Sequence, residues 1–157
     1  MTYYDEISDG YEELHREEQL KKIDLISRYF KPNENDLLLD VGCGTGLTTK
    51  PWSCRKIGLD PAIRLLQKAD NGIWVNAEAE NIPFKNNAFD VVTSITAIQN
   101  FHGIEKGLKE IKRVGKDRFI LSFLKRSKKA EKIKKLIEEM FDVKEVIEEE
   151  KDLIFIV

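Results

Sequence analysis

Cysteine and histidine are scarce in this chain of 157 residues, with two of each: Cys43 and Cys54, His15 and His102. Two cysteines make neither a disulfide framework nor a zinc ligand set, and with two imidazoles no protein-held metal is expected. No apolar run approaches the roughly 18 residues of a membrane-spanning helix, and the N-terminus lacks the apolar stretch of a signal peptide. An excess of one charge is also missing. The net charge of -2 gives no global attraction for nucleic acid or an anionic membrane. Together these absences predict a cytoplasmic, soluble, reduced protein with no membrane partner. Charged residues reach 34%, mostly Lys and Glu, a balance found in thermophile proteins. There is no internal repeat, linker or low-complexity tail. The length predicts a single domain over residues 1–157, large enough for a proper core, with residues 1–35 as a helical segment packed on it.

What is present is organised around Leu37-Leu-Leu-Asp-Val-Gly-Cys-Gly-Thr-Gly46. An apolar run meets an acid, Asp40, and then three alternate glycines, Gly42, Gly44 and Gly46. Buried parallel strands read as continuous apolar runs, and glycine allows close backbone approach to a ligand. Upstream, residues 10–30 read as an amphipathic helix with Leu20, Ile23, Ile26 and Phe30 at helical spacing. Downstream, a short helix interrupted by Pro51 is expected, then a strand over 56–59 ending at Asp60. Pro61 opens a helix to about Ala69. Further strands are expected over 73–76, 89–95 and 118–124, with a helix around Ile104, Leu108, Ile111 and Val114. Ser127 can N-cap the next helix, and strands over 143–147 and 153–157 flank a charged turn. This alternation predicts an α/β fold: a doubly wound, mostly parallel seven-stranded sheet whose last two strands are antiparallel. The apolar Leu153 to Val157 is expected inside the sheet, which reads as the end of a complete domain.

The glycine spacing separates candidate ligands. A dinucleotide fingerprint needs G-x-G-x-x-G, but here the third glycine comes one place early and Leu47 occupies the dinucleotide position. A carboxylate at Asp40 would repel a pyrophosphate and suit an ammonium or sulfonium group. No Gly-Lys-Ser/Thr follows, so Walker-type phosphate binding is excluded.

The D-x-G-x-G-x-G form resembles motif I of class I S-adenosylmethionine-dependent methyltransferases. Asn76-Ala-Glu-Ala-Glu-Asn-Ile-Pro-Phe84, followed by Phe89-Asp-Val-Val92, is similar to a signature of the subfamily that includes quinone-biosynthesis and tRNA wobble-uridine methyltransferases. Residues 108–114 and the opening segment Tyr4 to Tyr11 extend the likeness over nearly the whole chain. The resemblance implies S-adenosylmethionine as cofactor and S-adenosylhomocysteine as product, in a Rossmann-like fold. It places Asp40, Gly42, Cys43, Gly44, Gly46, Asp60, Pro61, Glu78, Ala79, Thr96 and Tyr11 at the cofactor. Asp60 would hold the ribose hydroxyls as a bidentate acceptor, or cap the helix opened by Pro61, or do both. Glu78 would accept from the adenine amino group, beside the Ala79 backbone. Tyr4 and Tyr11 either cover the cofactor or pack a helix. Cys43 reads as a small turn residue, and Glu80 as surface.

The acceptor is less legible. Amino-nitrogen methylation usually accompanies an Asn/Asp-Pro-Pro-Tyr/Phe tetrapeptide, but this chain has Thr96-Ala-Ile-Gln-Asn-Phe101. No cysteine nucleophile and no obvious base stand there, and His102 reads as surface or packing. Residues 125–135 carry seven basic side chains, either a solvated helix face or an anchor for RNA phosphates on the cofactor rim. Three acceptor readings stand: tRNA or another translation component, a small molecule, or none, in a binding subunit. The resemblance places the strand carrying Trp74 at the sheet edge, where a partner strand could add; because some methyltransferases of this type pair through that edge with a small zinc-binding activator subunit, the resemblance implies such a partner.

Overall fold

The computed structural model describes residues 9–157, with side chains from residue 12 onward. Tyr4 and the side chain of Tyr11 therefore lie outside the described residues. In chain order come α1 (Asp9–Ser27), β1 (Leu37–Val41), β2 (Arg55–Asp60), α2 (Ile63–Lys68), β3 (Trp74–Asn76), β4 (Phe89–Ser94), α3 (Ile104–Val114), β5 (Gly115–Leu124), α4 (Ala130–Met140), β6 (Glu145–Glu148) and β7 (Asp152–Ile156). A single 3₁₀ turn, Ile98–Asn100, follows β4.

The seven strands form one sheet in the order β3-β2-β1-β4-β5-β7-β6. Strands β1 to β5 run parallel, and β7 is antiparallel to both β5 and β6. The expected α/β sheet and its antiparallel end are thus observed, with β7 inside. The chain moves outward from β1 to β3 and then returns to place β4 on the other side of β1. That reversal opens a crevice beyond the carboxyl ends of β1 and β4.

Alternation along the strands sorts side chains to two faces. Leu39, Val92, Leu121 and Phe155 face α3 and α4, meeting Leu108, Ile111, Ile133 and Ile137. Leu38, Val91, Ile120 and Ile154 face the opposite way, toward Ile23 and Ile26 of α1 and toward Trp52. Phe30, beyond the end of α1, meets Trp52 edge-on at 6.3 Å.

Three local expectations change. The buried face of α1 is Gln19, Lys22, Ile23 and Ile26, an i, i+3, i+4, i+7 stripe, while Leu20 is exposed. No helix joins β1 to β2. Residues 44–51 form consecutive turns, because three glycines and Pro51 leave too little chain for a helical crossover. Ser127 does not cap α4. Its Oγ accepts from the Lys129 N–H at 3.1 Å in a preceding turn, and the N-cap position is Lys129. β3 lies at the sheet edge as expected. The Trp74 indole lies on the sheet face across three glycines: a Cβ at Gly46, Gly58 or Gly72 would fall 2.6 Å from the ring. Its Nε1 donates to the Asp70 carbonyl at 2.8 Å.

The indole slot gives a clean test at Gly72, where only Trp74 obstructs a methyl group. Gly72→Ala should destabilise the protein by about 1–3 kcal/mol through overpacking. In a Trp74→Ala background the same change should be neutral or stabilise by about 0.4–1 kcal/mol. Urea unfolding of the four proteins measures both.

Candidate functional site

A cavity of about 720 Å³ occupies the crevice, within the roughly 300–1,000 Å³ of small-ligand clefts. Its floor is the turn after β1. Gly42 stands at φ +81°, and a Cβ there would come 2.4 Å from the Ala97 Cβ. Glycine is thus required both for its backbone and for contact with the segment after β4. The N–H groups of this turn point back to β2: Gly42 and Cys43 donate to the Leu59 carbonyl at 2.7 and 3.1 Å. The Gly44 N–H donates to Asp60 Oδ2 at 2.9 Å. Three consecutive donors that a phosphate loop would offer to an anion are therefore engaged inside the fold.

Asp40 sits beneath the turn, fully buried, and does not line the cavity. Thr48 and Thr49 hydroxyls donate to its Oδ2 at 2.7 Å each, and the Thr93 hydroxyl donates to Oδ1 at 2.9 Å. The expectation that Asp40 meets a cationic ligand is corrected: hydroxyls from the turn and from β4 surround the carboxyl. Burial pushes it up to about 6, against the downward pull of those three donors. Gly46 is also away from the cavity, under Trp74.

Asp60 ends β2 in the cavity wall. Its Oδ1 accepts from the Ala62 N–H at 2.8 Å, which turns the chain into α2, and its Oδ2 accepts from Gly44. Each oxygen keeps a further lone pair. Burial raises this carboxyl while the two backbone donors lower it. Asn76 steadies the turn by donating from Nδ2 to the Asp60 and Pro61 carbonyls. Beyond β3, Glu78 and Ala79 line the cavity with Glu80. Glu80 is no free surface acid, since its Oε2 accepts from the Gly103 N–H at 3.0 Å.

Past β4 the backbone is strained. Thr96 holds φ +55°, an outlier for a β-branched residue, and every polar atom is held. Its N–H donates to Ser122 Oγ at 2.9 Å, its hydroxyl donates to Asp152 Oδ2 at 2.6 Å and accepts from Lys22 Nζ at 3.0 Å. Its carbonyl accepts from Gln99 Nε2 at 2.9 Å. Lys22 and Asp152 pair at 3.0 Å with side chains 3% and 0% exposed. Breaking such a buried pair from one side costs about 3–5 kcal/mol.

Of the expected site residues, Gly42, Cys43, Gly44, Asp60, Pro61, Glu78, Ala79 and Thr96 line one cavity, while Asp40 and Gly46 support it from below. The burial that encloses Cys43 pushes its thiol far up, so it is no nucleophile. Sequence reading missed the wall formed by α1, where Glu12, His15, Arg16 and Gln19 face the cavity. Its signal was the polar stripe at helical spacing. Helix α1 is bound at both sides: Glu12 pairs with Lys68 at 2.8 Å, and Glu18 pairs with Lys151. Burial and the Lys22 charge lower the His15 imidazole, favouring its neutral form. His102 also lines the cavity rather than packing beneath it.

Residues 39–123 match the family described as "Methyltransferase domain". An uncharacterized protein of Methanocaldococcus jannaschii is 32% identical over 126 residues, covering 77% of this chain and 49% of that protein. The chain spans about half the length of the curated relatives it matches. Among solved structures, a SAM dependent methyltransferase from Aquifex aeolicus superposes with a TM-score of 0.71 at 18% identity, over 88% of this chain and 89% of that one. The complex between the Haloferax volcanii Trm112 methyltransferase activator and a methyltransferase gives 0.63 at 22% identity, over 73% and 57%. At these identities the structural likenesses are of fold.

The raised carboxyl of Asp40 gives stability a sign with pH. Folded Asp40 titrates near 6 against an ordinary 3.8, so the native state keeps a proton that the unfolded chain has lost. That contribution is complete below about pH 4 and is lost as pH rises through 6. Wild-type stability relative to Asp40→Asn should therefore fall by about 2–3 kcal/mol between pH 4 and pH 7. Urea unfolding across that range checks it, and a difference flat with pH would refute the shift.

Proposed function

The chain belongs to the methyltransferase-domain family, and on that premise we propose that it transfers a methyl group from S-adenosylmethionine to an acceptor at the cavity mouth, releasing S-adenosylhomocysteine. The observation that carries this reading is the engagement of the Gly42, Cys43 and Gly44 N–H groups by β2. A dinucleotide needs those donors for its pyrophosphate. A sulfonium nucleoside has no phosphate and needs acceptors, which the cavity lining supplies as the carboxylates of Asp60, Glu78 and Glu80.

The remaining lone pairs of Asp60 suit the ribose hydroxyls, and Glu78 suits the adenine amino group. Ala79, Leu65 and Phe101 give the ring apolar walls. When bound, the cofactor supplies an electrophilic methyl group on sulfur. The protein's part is alignment: Gly42 to Gly44 and Thr96 fix one end of the cavity, so that acceptor and methyl meet at short range. Helix α1 narrows the mouth and limits water.

For the acceptor we favour RNA of the translation apparatus. The basic segment divides in two. Lys129 Nζ donates to the Gln99 carbonyl at 3.4 Å, beside the cavity residue Asn100, while Lys125 pairs with Glu148 on β6. Lys134 and Lys135 instead lie among Glu131, Glu138 and Glu139 on α4. Lys129, beside the cavity, is placed to hold a phosphate. A small activator subunit at the β3 edge is supported by the Haloferax volcanii likeness and by Ile73, 61% exposed beside that edge. No helix among the described residues is long and apolar enough to cross a membrane.

Calorimetry with S-adenosylmethionine should detect one site, and Asp60→Asn should weaken it about 10–100-fold through loss of charged hydrogen bonds. Absence of binding, with and without the activator, would overturn the reading. Labelled cofactor incubated with cell extract should mark a species that RNase removes. Persistent label after RNase would exclude RNA.

A further inference from the structure

The buried pair Lys22–Asp152 stands outside the cavity, on α1 and β7, and nothing in the proposed methyl transfer uses it directly. Buried ion pairs are weak sources of stability compared with apolar packing, so its placement needs a reason. Around it converge Thr96 of the β4 exit, Ser122 of β5 and Gln19 of α1. Asp152 Oδ2 accepts from both hydroxyls, at 2.6 Å from Thr96 and 2.8 Å from Ser122. Ser122 Oγ in turn accepts the Thr96 N–H. One carboxylate thus fixes both the side chain and, through Ser122, the main chain of a single residue.

That residue is Thr96 at φ +55°, a conformation that persists only where its surroundings over-determine it. Its neighbour Ala97 sits where a Cβ at Gly42 would fall, 2.4 Å away. The orientation of Thr96 therefore decides where Ala97 stands against the glycine turn. Resting on the cofactor reading above, we infer that Asp152, with Lys22 and Ser122, is a positioning residue for the cofactor site. It clamps Thr96 in the left-handed conformation and thereby sets the shape of the Gly42–Gly44 turn. Because Lys22 belongs to α1, the same clamp ties the cavity wall to its floor, and loosening either loosens both.

Two measurements on Ser122→Ala and Asp152→Asn test this, each alone and with Thr96→Gly, since glycine adopts φ +55° without a clamp. S-adenosylhomocysteine affinity by calorimetry should drop at least tenfold in both single variants, and Thr96→Gly should recover most of the loss. Hydrogen exchange on the protein without ligand should quicken together at residues 96–97, at 42–44 and in α1. Ser122→Ala, which leaves the ion pair intact, keeps the test open if Asp152→Asn does not fold. Unchanged affinity, or a loss that Thr96→Gly leaves in place, would overturn the inference and mark the pair as a brace of the fold. If wild type binds no S-adenosylhomocysteine, the function reading fails, and exchange alone decides the positioning role: unchanged rates at 42–44 would refute it.

Discussion

Three backbone N–H groups, those of Gly42, Cys43 and Gly44, are bonded to the end of β2, and most of the site follows from that. With these donors turned inward, the turn is held against β2, and the Asp60 carboxylate that receives one of them lines the crevice. A glycine turn after the first strand of a doubly wound sheet usually suggests phosphate binding. Here the same chain position has the opposite electrostatic character. Asp40 secures the arrangement from below, drawing Thr48, Thr49 and Thr93 together so that the turn is tied to β4 as well as to β2.

The other side of the crevice depends on polar contacts that span the chain. Helix α1 contributes Ile23 and Ile26 to the core, with Leu25 packed beside them. Its cavity-facing half is held by Glu12–Lys68, Glu18–Lys151 and Lys22–Asp152. The first two are partly exposed and screened by salt, whereas the third is dry. A wall attached by ion pairs at its outer half and by apolar contact at its inner half is suited to local opening without global unfolding. Access to the cavity is thereby separated from the integrity of the sheet.

The legible part of the fold was the part governed by local pattern. Apolar runs 37–39, 89–95 and 153–157 read as buried strands, and their alternation with helical segments marked a doubly wound sheet with the last strand inside, as observed. The glycine spacing and Asp60 were legible because turn chemistry leaves a local mark. Trp74 was not, because the three glycines that accommodate it lie in separate segments and only the folded sheet superposes them. Asp40 was read as facing the ligand because an acid ending an apolar strand looks accessible. The threonines that surround it were visible at 48 and 49 but had no evident partner. The pairing of Lys22 with Asp152 has no mark in the sequence, since nothing local signals that two ions far apart in the chain will meet in the interior.

The central claim is that the crevice beyond β1 and β4 is a site for a sulfonium nucleoside. Amide chemical-shift mapping on the 15N-labelled protein tests it most directly, with S-adenosylhomocysteine and NAD titrated in parallel. The account predicts saturable shifts at Gly42–Gly44, Asp60, Glu78–Ala79 and Thr96 with the nucleoside thioether and none at those positions with NAD. Shifts confined to α4 or β6, or a stronger response of the glycine turn to NAD, would contradict it.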